Sequence, residues 1–168
     1  MSKTLNNFLK ESGYMKANLD FLITKHYSLE AKINGIKGKF ILDSGASNSC
    51  ICTTLESNFN IISKETTEKA SSATNEISNT KVSRNNTIQI GKWENKINLI
   101  TFDMSYINNA LNEKKIDSVS GIIGADILKK SKAILDYNSN NLYLKLWFYR
   151  FDDVANGLFD QDICSWQY

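Results

Sequence analysis

An aspartate followed directly by serine and glycine, Asp43-Ser44-Gly45, is the part of this chain best suited to do chemistry. The apolar run Phe40-Ile41-Leu42 predicts a buried strand in front of it, and the Ser-Gly pair predicts a turn directly after the carboxylate. A carboxylate held at the end of a rigid strand and directed into a cleft can act as a general base. Asp-Ser-Gly is also ordinary turn chemistry, so the triplet alone leaves both interpretations open.

The cysteines and the histidine are the residues from which a metal or thiol site would be built. The chain has three cysteines, Cys50, Cys52 and Cys164, and one histidine, His26. An odd number of cysteines argues against a complete disulfide framework. Cys50 and Cys52 face the same side of a strand, and a role as small buried side chains explains them better than a zinc site does. We therefore expect no metal site and no Ser-His or Cys-His hydrolase centre.

Three more segments show the patterns of strands, turns and a short helix. Ile122-Ile123-Gly124 predicts an apolar strand that ends in glycine, and Ala125 opens a brief helix. An Asn34-Gly35 pair predicts a tight hairpin turn before the strand that leads to Asp43. Residues 133–144 predict two strands joined by an asparagine-rich turn. These elements would position the carboxylate.

The order of these motifs resembles that of the retropepsin-like aspartic proteases, and in particular of their small bacterial members. The motifs are Leu-Asp-Ser-Gly-Ala, then Ile-Ile-Gly-Ala-Asp-Ile-Leu, then a closing hairpin, and the similarity covers about residues 20–146. It implies an all-β fold, mostly β with short helices, in which each chain forms one lobe of an acid-protease barrel. Because the chemistry uses two carboxylates that share one proton and this chain has a single Asp-Ser-Gly, two copies must pair about a two-fold axis, each supplying Asp43.

The resemblance also implies roles for residues of the site. Asp43 is the expected catalytic residue, and the expected active-site loop continues through Ser44, Gly45 and Ala46. Ser44 would grip the loop of the partner subunit, and Gly45 would permit close backbone approach. The expected supporting residues beneath the loop are Ile122, Ile123, Gly124 and Asp126, the last of which ties the short helix to the loop. The expected flap over the peptide is formed by Ser71, Ser72, Ala73, Thr74 and Asn75, in a region without glycine.

The sequence pattern divides the chain into three parts. We expect an N-terminal helical extension at 1–18, the protease-like domain at 19–146 and an aromatic C-terminal extension at 147–168. The N-terminal helix should bury a face formed by Leu5, Phe8 and Leu9, and a helix at 105–114 should bury a face formed by Ile107, Ala110 and Leu111. Seven of the 18 aromatic residues lie in the C-terminal extension, which either packs on the barrel or its partner, or fills the cleft as an inhibitory segment.

Charge and hydropathy argue against several classes of protein. The net charge is only +2, and the two arginines are far apart in the sequence, so no nucleic-acid surface is expected. No apolar run approaches the ~20 residues of a membrane helix, and the N-terminus lacks a signal-peptide core, so we expect a cytoplasmic protein without a membrane partner. No glycine-rich phosphate loop is present in the sequence.

These patterns and the resemblance together predict a homodimeric aspartic endopeptidase. It would hydrolyse a peptide or protein substrate with an Asp-activated water, with no metal and no organic cofactor. The alternative is a non-catalytic or tail-inhibited retropepsin-like module that binds peptide or protein through the same cleft. The intact Asp-Ser-Gly favours the enzyme, whereas the glycine-free flap and the aromatic tail favour the alternative.

Overall fold

The computed structural model describes residues 4–65, 70–71, 76–77 and 80–146, and most of them lie in strands and the turns between strands. The helices are α1 (Leu5–Glu11), α2 (Ser105–Glu113) and α3 (Ala125–Lys130), with one 3₁₀ turn at Thr53–Leu55. The strands are β1 (Tyr14–Asn18), β2 (Asp20–Phe21), β3 (Tyr27–Ile33), β4 (Ile36–Leu42), β5 (Cys50–Cys52), β6 (Lys64–Glu65), β7 (Ala70–Ser71), β8 (Glu76–Ile77), β9 (Lys81–Ile90), β10 (Trp93–Phe102), β11 (Gly121–Ile123), β12 (Ile134–Asp136) and β13 (Asn141–Lys145).

Six of these strands close into a barrel in the order β3-β4-β11-β5-β10-β9. The ring closes because β9 pairs back onto β3, with Ile33 opposite Ile88 and Lys32 opposite Gln89. The β4–β11 and β5–β10 pairs are parallel, and the other pairs in the ring are antiparallel. A closed ring satisfies the backbone groups that an open sheet leaves exposed at its edges. The structure confirms the predicted fold class, a mostly β lobe with short helices.

The β3–β4 hairpin follows directly from its sequence. Leu29, Ala31 and Ile33 are buried and alternate with exposed Glu30 and Lys32, which is the period-two pattern of a half-buried strand. The turn uses positive φ angles of 51° at Asn34 and 83° at Gly35. Asparagine and glycine tolerate this left-handed conformation best, and it gives the tight hairpin turn that matches the twist of the strands.

Two hydrophobic cores lie on opposite faces of β4. Phe40 and Leu42 point into the barrel core, whereas Ile41 points into a smaller core beneath α2. Successive side chains of a strand face opposite sides, so a strand that is apolar at three positions in a row is buried on both faces. The smaller core consists of Ile41, Cys50, Cys52, Met104, Leu111 and Val119. The strand that ends at Asp43 is therefore held on both sides.

A separate three-stranded sheet has the order β1-β13-β12. Leu142 and Leu144 of β13 belong to the same hydrophobic core as the barrel strands. The first strand of this sheet consists of residues 14–18, which the sequence had placed within a helical extension. The predicted extension therefore contains helix α1 followed by strand β1, because residues 14–18 pair with β13. The boundaries of the protease-like domain stay a prediction, and the aromatic extension at 147–168 lies outside the described residues.

The helices cover less apolar surface than their patterns predict. In α1 only Leu9 is buried, while Leu5 and Phe8 are 51% and 56% exposed. In α2 Leu111 is buried and Ala110 is exposed. An amphipathic pattern identifies the side of a helix that can face inward. The neighbouring element decides how much of that side is buried. The helices of the described residues have 7, 9 and 6 residues, and none is long and apolar enough to cross a membrane.

Candidate active site

Asp43 lies directly after β4, at the point where the chain leaves the barrel. Its backbone N–H donates to the carbonyl of Ile123 at 3.0 Å, which extends the parallel β4–β11 pairing by one residue. The side chain is exposed, and its Oδ1 accepts the backbone N–H of Gly45 at 2.8 Å. The backbone and the carboxylate are thus both held by the residues around them. This arrangement agrees with the predicted placement of a carboxylate on a rigid strand end.

The rest of the predicted loop forms a tight turn around the carboxylate. The N–H of Ala46 donates to the carbonyl of Asp43 at 3.2 Å, and Ser44 and Gly45 are exposed between them. A Cβ added to Gly45 would lie 3.2 Å from the Asp43 Oδ1, tighter than most real contacts. Glycine therefore lets the backbone N–H approach the carboxylate closely, and Ser44 is exposed beside it.

A second loop, at the end of β11, packs directly against this turn. Ala125 donates its N–H to the carbonyl of Ala46 at 2.7 Å. A Cβ added to Gly124 would lie 2.7 Å from that same carbonyl oxygen and 2.9 Å from the carbonyl oxygen of Asn48. Only glycine lets the two loops approach this closely. The predicted supporting residue Gly124 is therefore brought into contact with the Asp43 loop.

Asp126 joins helix α3 to the segment that follows the Asp43 loop. Its Oδ1 accepts the hydroxyl of Ser49 at 2.7 Å, and its Oδ2 accepts the backbone N–H of Ser49 at 3.0 Å. The same Ser49 hydroxyl accepts the N–H of Gly124 at 2.9 Å. These contacts agree with the predicted tie between helix and loop, and they occupy both carboxylate oxygens of Asp126.

The sequence did not single out Ser49, and it indicated Asn34 only as a turn residue. Ser49 is 1% exposed, and its only sequence signal is a polar residue at the start of an apolar strand. The Asn34 side chain leaves the hairpin turn to donate to the Asn86 side chain at 2.9 Å and to accept the N–H of Thr87 at 2.9 Å. An Asn-Gly turn predicts the backbone of this residue but not a partner in β9.

Ile122 and Ile123 complete the support beneath the site. They lie opposite Ile41 and Leu42 in the parallel register of β11 with β4. Ile123 is 1% exposed and belongs to the barrel core, while Ile122 packs against the smaller core. The two residues therefore pair β11 with the strand that leads to Asp43 and contribute to the cores on both of its faces.

Cys50 is a buried neutral thiol near the acidic groups of the site. Burial raises its pKa from 9.0 to about 12, a hydrogen bond from the Ile122 backbone lowers it, and the charges of Asp126, Cys52 and Asp43 raise it further. Such a thiol is neither a nucleophile nor a metal ligand at neutral pH. Within residues 4–65, 70–71, 76–77 and 80–146, no three His, Cys, Asp or Glu side chains are grouped to hold a metal ion.

The predicted flap falls partly outside the described residues. β7 and β8 pair as antiparallel strands, with Ala70 opposite Ile77 and Ser71 opposite Glu76. This pairing agrees with a hairpin in this region, and the remaining predicted flap residues, Ser72, Ala73, Thr74 and Asn75, lie outside the described residues. At the base, β6 pairs with β9, and a cavity of about 450 Å³ is lined by Ile62, Lys64, Glu65, Val82 and Arg84. Its lining includes none of the predicted site residues.

Comparison with known proteins gives the family and the fold of the chain. The sequence profile of the aspartyl protease family matches residues 29–127, which include Asp43, Gly124 and Asp126. No curated protein sequence matches the chain at a significant level.

Solved structures of the same fold include EIAV protease in complex with the inhibitor HBY-793. That structure has a TM-score of 0.52 at 18% identity, covering 70% of this chain and 98% of the EIAV chain. A retropepsin-like aspartic protease from Rickettsia conorii matches with a TM-score of 0.49 at 19% identity, covering 79% of this chain and 89% of that one. The retroviral protease-like domain of Ddi1 from Leishmania major matches with a TM-score of 0.47 at 14% identity, covering 70% of this chain and 86% of the Ddi1 chain. With its profile match over more than half of its length and its barrel fold, the chain belongs to the aspartyl protease family and has the retropepsin-like fold.

Proposed function

We propose that the protein is an aspartic endopeptidase whose active site forms between two copies of the chain, each contributing Asp43. The observation that carries this proposal is the exposed Asp43 carboxylate, held at the end of β4 by the Gly45 N–H at 2.8 Å. A carboxylate fixed by a backbone amide is aimed in one direction without being buried. One Asp-Ser-Gly per chain makes a second copy necessary, because the reaction needs two carboxylates.

The rigidity of the Asp43 loop supports a preorganised site. The contact of Gly124 with the Ala46 carbonyl and the Asp126–Ser49 pair hold the loop from below. Catalytic groups must be held within roughly 0.5 Å of the productive geometry, and hydrogen-bonded supports of this kind provide that precision. Ser44, which is exposed beside Asp43, is the proposed contact with the partner's loop.

In the proposed reaction one Asp43 carboxylate is ionised and the other is protonated. The ionised carboxylate takes a proton from a water molecule as the water oxygen bonds to the peptide carbonyl carbon, and the protonated one donates a hydrogen bond to the carbonyl oxygen. The carboxyl that took the water proton then transfers it to the amide nitrogen, and the C–N bond breaks as the carbonyl re-forms, releasing a carboxylic acid and an amine. Substrate residues on either side of the bond would lie under the hairpin that contains β7 and β8.

A second candidate function is a retropepsin-like module that binds peptide or protein without cleaving it. The observation that favours it is the segment 63–81, which contains no glycine. A hairpin tip without glycine has fewer backbone conformations with which to close over a peptide. The cytoplasmic location predicted from the sequence stays a prediction under either function.

The experiment that separates the two functions compares wild type with Asp43→Asn on a diverse peptide library across about pH 4–7. Asparagine keeps an oxygen that can accept the Gly45 N–H, so the loop should keep its shape while the general base is lost. Asp117→Asn is the matched control, because Asp117 is an exposed carboxylate outside the site. We expect cleavage by wild type and Asp117→Asn, and a loss of at least about 10³-fold in Asp43→Asn.

Two results would contradict the endopeptidase proposal. Cleavage that survives in Asp43→Asn would place the chemistry elsewhere in the chain. A wild-type protein that binds library peptides without cutting any of them would favour the binding module.

A further inference from the structure

Three aromatic residues, Phe21, Tyr27 and Tyr137, form what we call the aromatic cluster. The ring centroids of Phe21 and Tyr27 are 5.1 Å apart, and those of Tyr27 and Tyr137 are 5.6 Å apart. Both pairs are tilted, which is a favourable arrangement for aromatic rings. The Tyr27 hydroxyl donates to Asn140 Oδ1 at 2.8 Å, so the cluster joins the barrel to the turn between β12 and β13. Its shape is therefore set before anything binds to it.

Much of this cluster is open to solvent. Phe21 is 57% exposed and Tyr137 is 66% exposed, and Ile23, in the turn between β2 and β3, is 76% exposed. These three are among only seven large hydrophobic side chains that are exposed in the described part of the chain. Grouped exposed apolar side chains, unlike scattered ones, mark a surface that another molecule covers.

The cluster lies at the same end of the barrel as Asp43. Tyr27 is paired with Leu42 in the antiparallel register of β3 and β4, and Leu42 directly precedes Asp43. Adjacent strands are about 4.8 Å apart, so the backbone of Tyr27 lies one strand spacing from that of Leu42. A second chain that approaches Asp43 therefore comes near the end of β3 at which the cluster begins.

Two acidic groups next to the cluster are engaged within the chain. Asp20 lies 3.4 Å from the Lys39 ammonium group, and the Asp136 carboxylate accepts the backbone N–H groups of Asn138 and Ser139. In a two-fold interface a residue near the axis meets its own copy, so an unpaired charge there would repel itself. Aromatic rings stack favourably against their own copies. The surface therefore fits a second copy of this chain.

We propose that the aromatic cluster is the surface on which a second copy of this chain packs to bring the two Asp43 residues together. This inference rests on the proposed two-copy active site and names the contact that assembles it. The two copies bury Phe21 and Tyr137 against each other's clusters, and the Tyr27–Asn140 hydrogen bond keeps each cluster rigid as they meet. Rigid aromatic anchors of this kind carry much of the binding free energy in protein interfaces.

The test measures the dimer dissociation constant by analytical ultracentrifugation for full-length wild type, Phe21→Ser/Tyr137→Ser and Tyr106→Ser. Tyr106 is the matched control, since it is a tyrosine of α2 that is 87% exposed. We expect the double variant to raise the dissociation constant by at least about tenfold and Tyr106→Ser to leave it within about twofold. Circular dichroism and thermal unfolding of each variant report on folding separately, and the substituted side chains are already exposed.

The outcomes separate this inference from the proposed function. A wild-type dimer whose dissociation constant is unchanged in the double variant overturns the inference and leaves the two-copy endopeptidase intact. An unchanged dissociation constant with a raised KM would instead make the cluster a peptide-binding surface. A dimer that the double variant weakens but that cleaves no peptide supports the inference and overturns the endopeptidase. A wild type that is monomeric at all concentrations, active or not, overturns both.

Discussion

Asp126 and Ser49 are joined by two hydrogen bonds, with the Ser49 hydroxyl at 2.7 Å and its backbone N–H at 3.0 Å from the carboxylate oxygens. The pair is 77 residues apart in sequence, and it connects helix α3 to the segment that follows the Asp43 loop. Because the Ser49 hydroxyl also accepts the Gly124 N–H, one buried serine links the helix, the loop after β11 and the start of β5. The geometry of the candidate active site depends on this link.

Ser49→Ala should destabilise the protein. The substitution removes the acceptor of the Gly124 N–H and one donor to Asp126, and a buried polar group left without a partner costs about 1–3 kcal/mol. Urea unfolding followed by fluorescence measures the loss, with Ser47→Ala as the control because Ser47 is exposed. Equal unfolding free energies for the two variants would show that the link does not support the loop.

Gly124→Ala should lower catalytic activity as well as the free energy of unfolding. The new methyl group would lie 2.7 Å from the Ala46 carbonyl oxygen, so the loops must separate, at about 1–3 kcal/mol. Gly35→Ala is the comparison, because Gly35 has nothing within 4 Å and is strained only by its φ of 83°. Both variants should lose stability, but only Gly124→Ala should lower kcat. Equal kcat values at equal fractions of folded dimer would contradict this prediction.

The Cys50 thiol should make the protein less stable at alkaline pH. Its pKa rises from 9.0 to about 12 on burial, so between these values the unfolded chain is ionised while the folded one keeps its proton. The contribution is constant below pH 9 and is lost as pH rises toward 12, by about 2 kcal/mol between pH 9 and roughly 10.5. Urea unfolding at several pH values measures this slope. Cys50→Ala should reduce this slope, with burial of Tyr143, which also raises the pKa of that phenol, accounting for part of what remains. An unchanged slope in the variant would assign the whole loss to other groups.

The Asn34 side chain should stabilise the closure of the barrel at the junction of β3 and β9. Asn34→Gly suits the turn, with its φ of 51°, but removes the hydrogen bonds to Asn86, Phe59 and Thr87, for a net loss of about 2 kcal/mol. Asn85→Gly is the matched control, because Asn85 is exposed and has a φ of 61°. It should be neutral or slightly stabilising in thermal unfolding. A neutral Asn34→Gly variant would show that the turn alone holds the hairpin.

The sequence by itself determined the elements whose signals are local. The apolar run before Asp43, the Asn34-Gly35 turn and the glycine that ends β11 each act through the backbone conformation of a few residues, and the structure has each of them in place. The family resemblance also depended on the order of such local motifs. Period-two burial predicted β3 for the same reason, since alternation is a property of the strand itself.

Only the tertiary structure decided which distant residues meet. Ser49 and Asn34 look like ordinary polar residues until β11 and β9 bring Gly124, Asp126 and Asn86 beside them. The exposure of Leu5 and Phe8 on α1 likewise depends on how much of the helix β1 covers, which no helical pattern encodes. The aromatic cluster arises because β2 and β3 meet the β12–β13 turn, which lies more than 100 residues later in the sequence. Non-local pairing selects these contacts, and it is a property of the whole barrel.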